Sequence, residues 1–178
     1  MQSDIYMDES EISQAISRLA KGILSRNKNL DRLAIVGIKN RGEYIARRIL
    51  SEIEKESSLK CKFGTLDITL YRDDFDRLGD LTLGETDLLF DVSGKRLILV
   101  DDVLYSGRTI RAALDQVMDF GRPAEIELAV LVDRGGRELP ICANYLGKRI
   151  EVGEDEYIRV QLTECDGVDR VIRINKDN

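Results

Sequence analysis

Histidine is absent from all 178 residues. That absence removes the commonest general base and the commonest metal ligand at neutral pH. Chemistry in this chain therefore falls to carboxylates, Lys, Arg, Tyr, hydroxyls and backbone N–H groups. Cysteine is scarce: Cys61, Cys142 and Cys165 lie far apart, with no C-x-x-C pair. Neither a disulfide framework nor a zinc site is expected from that pattern. No apolar run approaches the roughly 20 residues that cross a bilayer. Met1 to Tyr6 lacks the basic start and apolar middle of a secretory signal. A cytoplasmic protein without a membrane partner is the expectation. Excess positive charge is missing too, since the formal net charge is −6. A chain whose main partner is nucleic acid is usually basic, so that class is disfavoured. Neither a Walker-type P-loop nor a G-x-G-x-x-G fingerprint occurs.

What is present alternates between strand and helix patterns. The length suits one domain, residues 1–178, with a full hydrophobic core. Asp8 with Glu11 three residues later reads as a capping box opening a helix. Ile12, Ala15, Ile16, Leu19 and Ile23 recur at helical spacing, and Asn27 to Asn29 stop it. Leu33 to Ile38 reads as a buried strand, followed by a loop and a helix carrying Ile45, Ala46, Ile49, Leu50 and Ile53 on one face. Phe63 to Leu70 reads as a strand. Asp73 to Asp91 is acidic, contains glycine and has no sustained period, which predicts a long lid loop. Arg96 to Val100 is the clearest strand, ended by Asp101-Asp102. A helix carrying Ile110, Ala113, Leu114, Val117 and Met118 follows, then a strand from Ile126 to Val132. Tyr157 to Leu162 and Val168 to Ile174 flank Glu164 to Gly167 and predict a C-terminal hairpin. The fold class is α/β, with an open, mostly parallel twisted sheet flanked by helices. Ligands in such sheets bind at the carboxyl ends of the strands.

One segment carries most of the chemistry. Leu97 to Val100 is apolar; Asp101, Asp102, Val103, Leu104, Tyr105, Ser106, Gly107, Arg108 and Thr109 follow. A glycine lets backbone approach a phosphate, and the helix after it offers N–H groups with a positive dipole end. Ser106 and Thr109 add hydroxyl donors. Two acids immediately upstream accept hydrogen bonds from a diol. Phosphate beside a diol describes a sugar phosphate. The segment resembles the phosphoribosyl-pyrophosphate signature. A second turn, Gly37-Ile38-Lys39-Asn40-Arg41-Gly42, places two cations and a glycine between strand and helix, which suits pyrophosphate. The strand-end position of Asp101 and Asp102 predicts solvent-facing carboxylates.

Together with Asp67 to Asp74, Val130 to Gly135, Arg137 to Ile141, Tyr145 to Lys148, and Val160 to Leu162 with Glu164 and Asp166, these motifs resemble the PyrR family over nearly the whole chain. Members of that family are pyrimidine-operon attenuators that also have uracil phosphoribosyltransferase activity. The resemblance implies a type I phosphoribosyltransferase fold and magnesium carried mainly by phosphoribosyl pyrophosphate, without a dedicated protein cage. It implies uracil, UMP and pyrophosphate as further ligands, and a homodimer or larger assembly. Asp101 and Asp102, with Arg72, are the expected catalytic residues. The 5′-phosphate and ribose fall to Asp101, Asp102 and Tyr105 to Thr109. Pyrophosphate falls to Lys39, Asn40, Arg41 and Gly42, and the base to Val132, Asp133 and Arg134. Tyr71, Arg72 and Asp73 begin the lid. Leader RNA is the alternative partner, with Arg18, Lys21, Arg26, Arg137, Lys148 and Arg149 as its basic candidates. A phosphoribosyltransferase for another base is the remaining alternative. The sequence departs from the family pattern at Asn40, where Thr is usual, and at Lys21, where His is usual. Gly136 and Cys142 stand where the family has His and Arg. Arg149 to Gly153 replaces Asn-Ile-Pro-Thr-Ser. The last four departures fall on the surface that the family uses for RNA, so the enzyme reading is the stronger one.

Overall fold

The computed structural model describes residues 4–57, 60–71, 85–153 and 155–175. Helix α1 (Glu9–Arg26) begins at Asp8, whose carboxylate accepts from the Glu11 N–H while the Glu11 side chain accepts from the Asp8 N–H. Such a cap stabilises a helix by about 1 kcal/mol. Asn27 closes it, as its spacing predicts. Five strands form the main sheet in the order β3-β2-β4-β5-β6, all parallel. They are β2 (Leu33–Ile38), β3 (Lys62–Leu66), β4 (Arg96–Leu104), β5 (Glu125–Asp133) and β6 (Tyr145–Arg149). Helices α2 (Arg41–Ser57) and α3 (Arg108–Asp119) supply crossovers.

Both faces of the sheet are covered, and the period of two sorts the strand residues between them. Ile35, Ile98, Val100, Ala129 and Leu131 pack with α1 and α2. Val36, Leu97, Leu99, Leu128 and Val130 pack with Ile110 and Val117 of α3. A second, antiparallel sheet joins β1 (Ile5–Met7), β8 (Arg170–Asn175) and β7 (Glu156–Gln161) in the order β1-β8-β7. Its Val160 and Val171 belong to the same core as α1. The parallel sheet, the flanking helices and the C-terminal hairpin agree with the expected fold class.

Several local expectations change. Strand β3 ends at Leu66 rather than Leu70, because the Asp67 carboxylate accepts from the backbone N–H and hydroxyl of Thr69 and bends the chain into a 3-10 turn at Thr69–Tyr71. Strand β4 continues four residues past Val100, since β5 runs beside it as far as Leu104↔Asp133. The hairpin tip is a short helix, α4 (Thr163–Asp166), closed by Gly167. Strands β1 and β6 have no counterpart in the sequence reading. The end of the long acidic segment is anchored: Thr65 and Asp87 exchange backbone hydrogen bonds of 2.8 and 2.9 Å, and Val92 is fully buried. Residues 72–84, which hold most of the expected lid, lie outside the described residues.

Candidate active site

The carboxyl ends of β2, β3 and β4 converge on one cleft of about 350 Å³. Lys39, Asn40 and Arg41 line it from the β2–α2 turn, Asp67, Ile68 and Thr69 from the end of β3, and Asp101, Asp102, Val103 and Thr109 from β4 and α3. The Lys39–Asn40 peptide is cis. The Lys39 N–H donates to the Leu66 carbonyl at 2.9 Å, and its ammonium to the Glu85 carbonyl at 2.6 Å. Gly42 allows the start of α2 to touch β4, since a Cβ there would lie 2.5 Å from the Val100 carbonyl oxygen.

Asp101 and Asp102 sit inside β4, not at its end, and this corrects the expectation that both face solvent. Asp101 is only 6% exposed; its carboxylate accepts from the Asp102 N–H at 2.9 Å. Asp102 is half-buried and accepts from the Val103 N–H at 2.8 Å. Burial pushes the Asp101 carboxyl well above the usual carboxylate range, and the neighbouring Asp102 pushes the same way. Burial also raises Asp102, partly offset by the Val103 N–H and by Arg41. The pair thus presents a partly desolvated hydrogen-bonding edge to the cleft.

The turn after β4 is stapled to the segment after β5. The Ser106 carbonyl accepts from the N–H groups of Glu138 and Leu139 at 3.0 and 3.1 Å. Gly107 holds a left-handed backbone at φ +92°, and starts α3. The Arg137 guanidinium donates to the Tyr105 carbonyl at 2.7 Å and the Ile141 carbonyl at 2.9 Å, and lies 2.6 Å from the Asp133 carboxylate. Arg137, one of the basic candidates, therefore organises this loop. Asp133 is committed to Arg137 and to the Gly135 N–H, and its carboxyl is held below the usual range. Val132 is fully buried. Arg134 stacks 3.9 Å from the Tyr105 ring and 5.8 Å from the Tyr157 ring, and donates to the Glu156 carbonyl at 2.7 Å. Its Nε and Nη1 are buried with no acceptor among the described residues. The Tyr105 ring lies over Gly136, where a Cβ would come within 2.5 Å of it.

Arg41 pairs through two nitrogens with Asp166 of α4, and Arg48 pairs with Glu164 at 2.6 Å and with Asp169. Asp166 enters the sequence reading only through the family resemblance, without a role, and the stacking by Tyr157 is absent from it, because both come from the small sheet, whose docking has no local signature. It quoted Asp67 and Thr69 without assigning them to the cleft; the turn formed by Asp67 is the signal that marks them. Tyr71 is anchored to α3 by a hydroxyl bond to Asp119 and by Arg111, which donates to its carbonyl at 3.2 Å. Arg72 and Asp73 lie outside the described residues.

The other basic candidates do gather, on the face formed by α1 and the edge strand β6. Arg18 donates to the Gly147 carbonyl, Arg26 lies over the Tyr145 ring, and Lys148 donates to the Tyr6 carbonyl and to Glu11. Acids interleave with them: Lys21 pairs with Glu56, Arg26 with Glu127 and Arg149 with Glu151. Among the described residues no group of three or more Asp, Glu or Cys forms a metal cluster, and no helix is long and apolar enough to cross a membrane.

A parallel sheet, an acid pair inside its central strand and a Ser-Gly turn entering a helix define a phosphoribosyltransferase. The model of the phosphoribosyl transferase domain family matches residues 2–164. The chain is 52% identical over 174 residues to the bifunctional protein PyrR of Endomicrobium trichonymphae, covering 95% of this chain and 97% of that one. It is 50% identical over 171 residues to the pyrimidine operon regulatory protein of Lactococcus lactis subsp. lactis, covering 96% of each. The chain belongs to the PyrR family of phosphoribosyltransferases. Among solved structures, a hypoxanthine-guanine phosphoribosyltransferase from Bacillus anthracis shares the fold at a TM-score of 0.73 and 18% identity, covering 96% of this chain and 98% of that one.

Proposed function

We propose that this phosphoribosyltransferase joins uracil to phosphoribosyl pyrophosphate, giving UMP and pyrophosphate. The bond between the anomeric carbon and the pyrophosphate oxygen breaks, a bond from that carbon to N1 of uracil forms, and the N1 proton leaves. The observation that carries this reading is the convergence on one cleft of the acid pair, Thr109 at the start of α3, and Lys39, Asn40 and Arg41 of the β2–α2 turn. Asp101 and Asp102 accept from the ribose hydroxyls. Tyr105 to Thr109 hold the 5′-phosphate with hydroxyls and N–H groups at the start of α3. Lys39, Asn40, Arg41 and Gly42 receive pyrophosphate, which requires Arg41 to leave Asp166. Stabilising the charge that grows on this leaving group is the main electrostatic task. Val132 and Asp133 support the base site; the two orphaned N–H-bearing atoms of Arg134, whose guanidinium lies near the Tyr105 and Tyr157 rings, suit a carbonyl-bearing base.

Magnesium fits this donor set. The cleft lining holds three carboxylates, Asp67, Asp101 and Asp102, against two cations, Lys39 and Arg41, yet the donor is a polyanion. Hard carboxylate oxygens suit magnesium, and when bound it supplies positive charge to the pyrophosphate oxygens.

Pyrophosphate release measured with a panel of free bases tests the reading. Uracil should be the fastest acceptor; faster release with a purine, or with none of the bases, overturns the uracil assignment.

The gathering of Arg18, Lys21, Arg26, Lys148 and Arg149 on the α1–β6 face supports a second activity, attenuation through leader RNA. Glu11, Glu56, Glu127 and Glu151 neutralise much of that face. Binding of a leader hairpin is therefore expected to be weak and little different from a scrambled hairpin across a salt titration. Tight binding that discriminates the two and strengthens with UMP would favour the regulator.

A further inference from the structure

The opposite end of the sheet carries a feature that the transferase reaction does not use. At the amino-terminal ends of β2, β4 and β5, where Leu33, Arg96 and Glu125 stand in register, lies a cavity of about 300 Å³. Lys28, Arg32 and Arg96 line it, with the amides of Asn27 and Asn29 and a single carboxylate, Glu125. The other two described cavities have the reverse balance. The substrate cleft sets two cations against three carboxylates, and so does the cavity between α1 and α2, where Arg48 and Lys55 face Glu9, Glu52 and Asp169. A cation-rich cavity is thus an exception on a chain of net charge −6.

The cations divide into a fixed base and a free rim. Arg96 is fixed: it lies 2.5 Å from Glu125 and donates to the Asn27 side-chain oxygen at 2.9 Å. Asn27 is itself buried and donates to the Ile23 carbonyl. The pair of Glu125 with Arg96 spends the only carboxylate that lines the cavity. Lys28 and Arg32 are exposed and have no acidic partner among the described residues, although Asp31 stands between them in the chain. They flank a 3-10 turn held by buried Leu30 and by the Asn29 side chain, which accepts from the Asp31 N–H. Two exposed cations without an acidic partner, beside a buttressed third, make a local positive field.

We propose that this cavity is a second, non-catalytic binding site for phosphate oxyanions. The three cations approach from the end of α1, from the 3-10 turn and from the start of β4, an arrangement that suits a tetrahedral anion better than a planar carboxylate. The oxyanion comes from a free polyphosphate or from the phosphodiester backbone of a nucleic acid. The site lies at the opposite end of the strands from the cleft, so its occupancy leaves the transfer chemistry untouched.

The test compares the full-length protein with Lys28→Glu/Arg32→Glu, and with the milder Lys28→Ala/Arg32→Ala. Binding of inorganic tripolyphosphate and of a short oligodeoxythymidylate is measured by titration at several salt concentrations, beside phosphoribosyltransferase turnover. The charge-reversed variant should lose about tenfold in affinity for at least one probe, with a shallower salt dependence. The alanine variant should fall between, and turnover should match wild type. Loss for tripolyphosphate identifies a free polyphosphate ligand; loss for the oligonucleotide alone identifies a phosphodiester backbone. Equal affinity of all three proteins for both probes overturns the site, as does citrate binding as tightly as tripolyphosphate. None of these outcomes depends on which base the enzyme accepts.

Discussion

Arg41 and Asp166 are 125 positions apart in the chain, yet Arg41 Nη2 lies 2.9 Å from Asp166 Oδ1 and its Nε 3.3 Å from Oδ2. Asp166 is fixed in turn by the Leu162 N–H, and Arg41 holds its carboxyl below the usual range. One of the two cations that line the cleft is therefore latched to the segment between the strands of the small sheet. A donor that takes Arg41 must compete with Asp166.

Asp166→Asn removes that competitor. The Michaelis constant for phosphoribosyl pyrophosphate should fall about fivefold, which corresponds to a partly exposed ion pair of ~1 kcal/mol. Turnover should fall with it as pyrophosphate leaves more slowly. A raised Michaelis constant in initial-rate measurements would show that Asp166 positions Arg41 for the donor. Glu164→Gln, which weakens the same docking without touching Arg41, serves as the control.

Asp101→Asn and Asp102→Asn should each reduce turnover strongly, and Asp101→Asn should also change how stability depends on pH. The folded protein raises the Asp101 carboxyl, so it retains a proton that the unfolded chain gives up. Its contribution is therefore greatest at low pH, and stability is lost as pH rises from about 4. Replacing Asp101 with Asn removes that term. The wild-type melting temperature should drop relative to Asp101→Asn as the pH is raised from 5 to 8, measured by thermal melts in matched buffers. Parallel curves would mean that the buried carboxyl is not protonated in the fold.

Arg137→Ala should loosen the proposed phosphate loop. The guanidinium serves the carbonyls of Tyr105 and Ile141 together with the Asp133 carboxylate. Losing a hydrogen-bonded, half-buried charge costs about 1–3 kcal/mol. Denaturant unfolding should show that loss, and the Michaelis constant for the donor should rise. Arg137→Lys should restore little, because one ammonium cannot reproduce the planar fork. Wild-type stability in Arg137→Ala would return Arg137 to the list of surface residues open to RNA.

The pair between Arg48 and Asp169 should make the docking of the small sheet acid-sensitive. Arg48 pulls the Asp169 carboxyl down to about 2. A depressed carboxyl stabilises the fold above its unfolded value near 4 and loses that contribution as pH falls toward 2. After a discount for solvent screening, the effect is about 1 kcal/mol. Asp169→Asn should be less stable than wild type at pH 7 and converge with it near pH 2 in chemical denaturation. A constant gap across that range would show that the loss does not come from the charge of the Asp169 carboxylate.

The sequence by itself determined the parts in which local chemistry dictates structure. The capping box at Asp8 and Glu11, the apolar runs of β2, β4 and β5, and the Ser-Gly turn before α3 each follow from contacts within a few residues. They placed the cleft at the carboxyl ends of the strands and identified most of its lining. Tertiary structure alone decided the rest. Strand β6 is a short edge strand defined by its pairing with β5 and by α1, and β1 exists because β8 accepts it. Asp101 is buried because β5 continues past it and α2 closes over it at Gly42, neither of which its neighbours in sequence can report. Arg41, Arg134 and Arg137 look alike as basic residues beside a motif. Their different partners, Asp166, two tyrosine rings and a set of carbonyls, come from segments that meet only when the small sheet and the loop after β5 pack onto the core. Charge is a property of the residue, but what a charge does depends on the long-range contacts that desolvate it and supply its counter-ion.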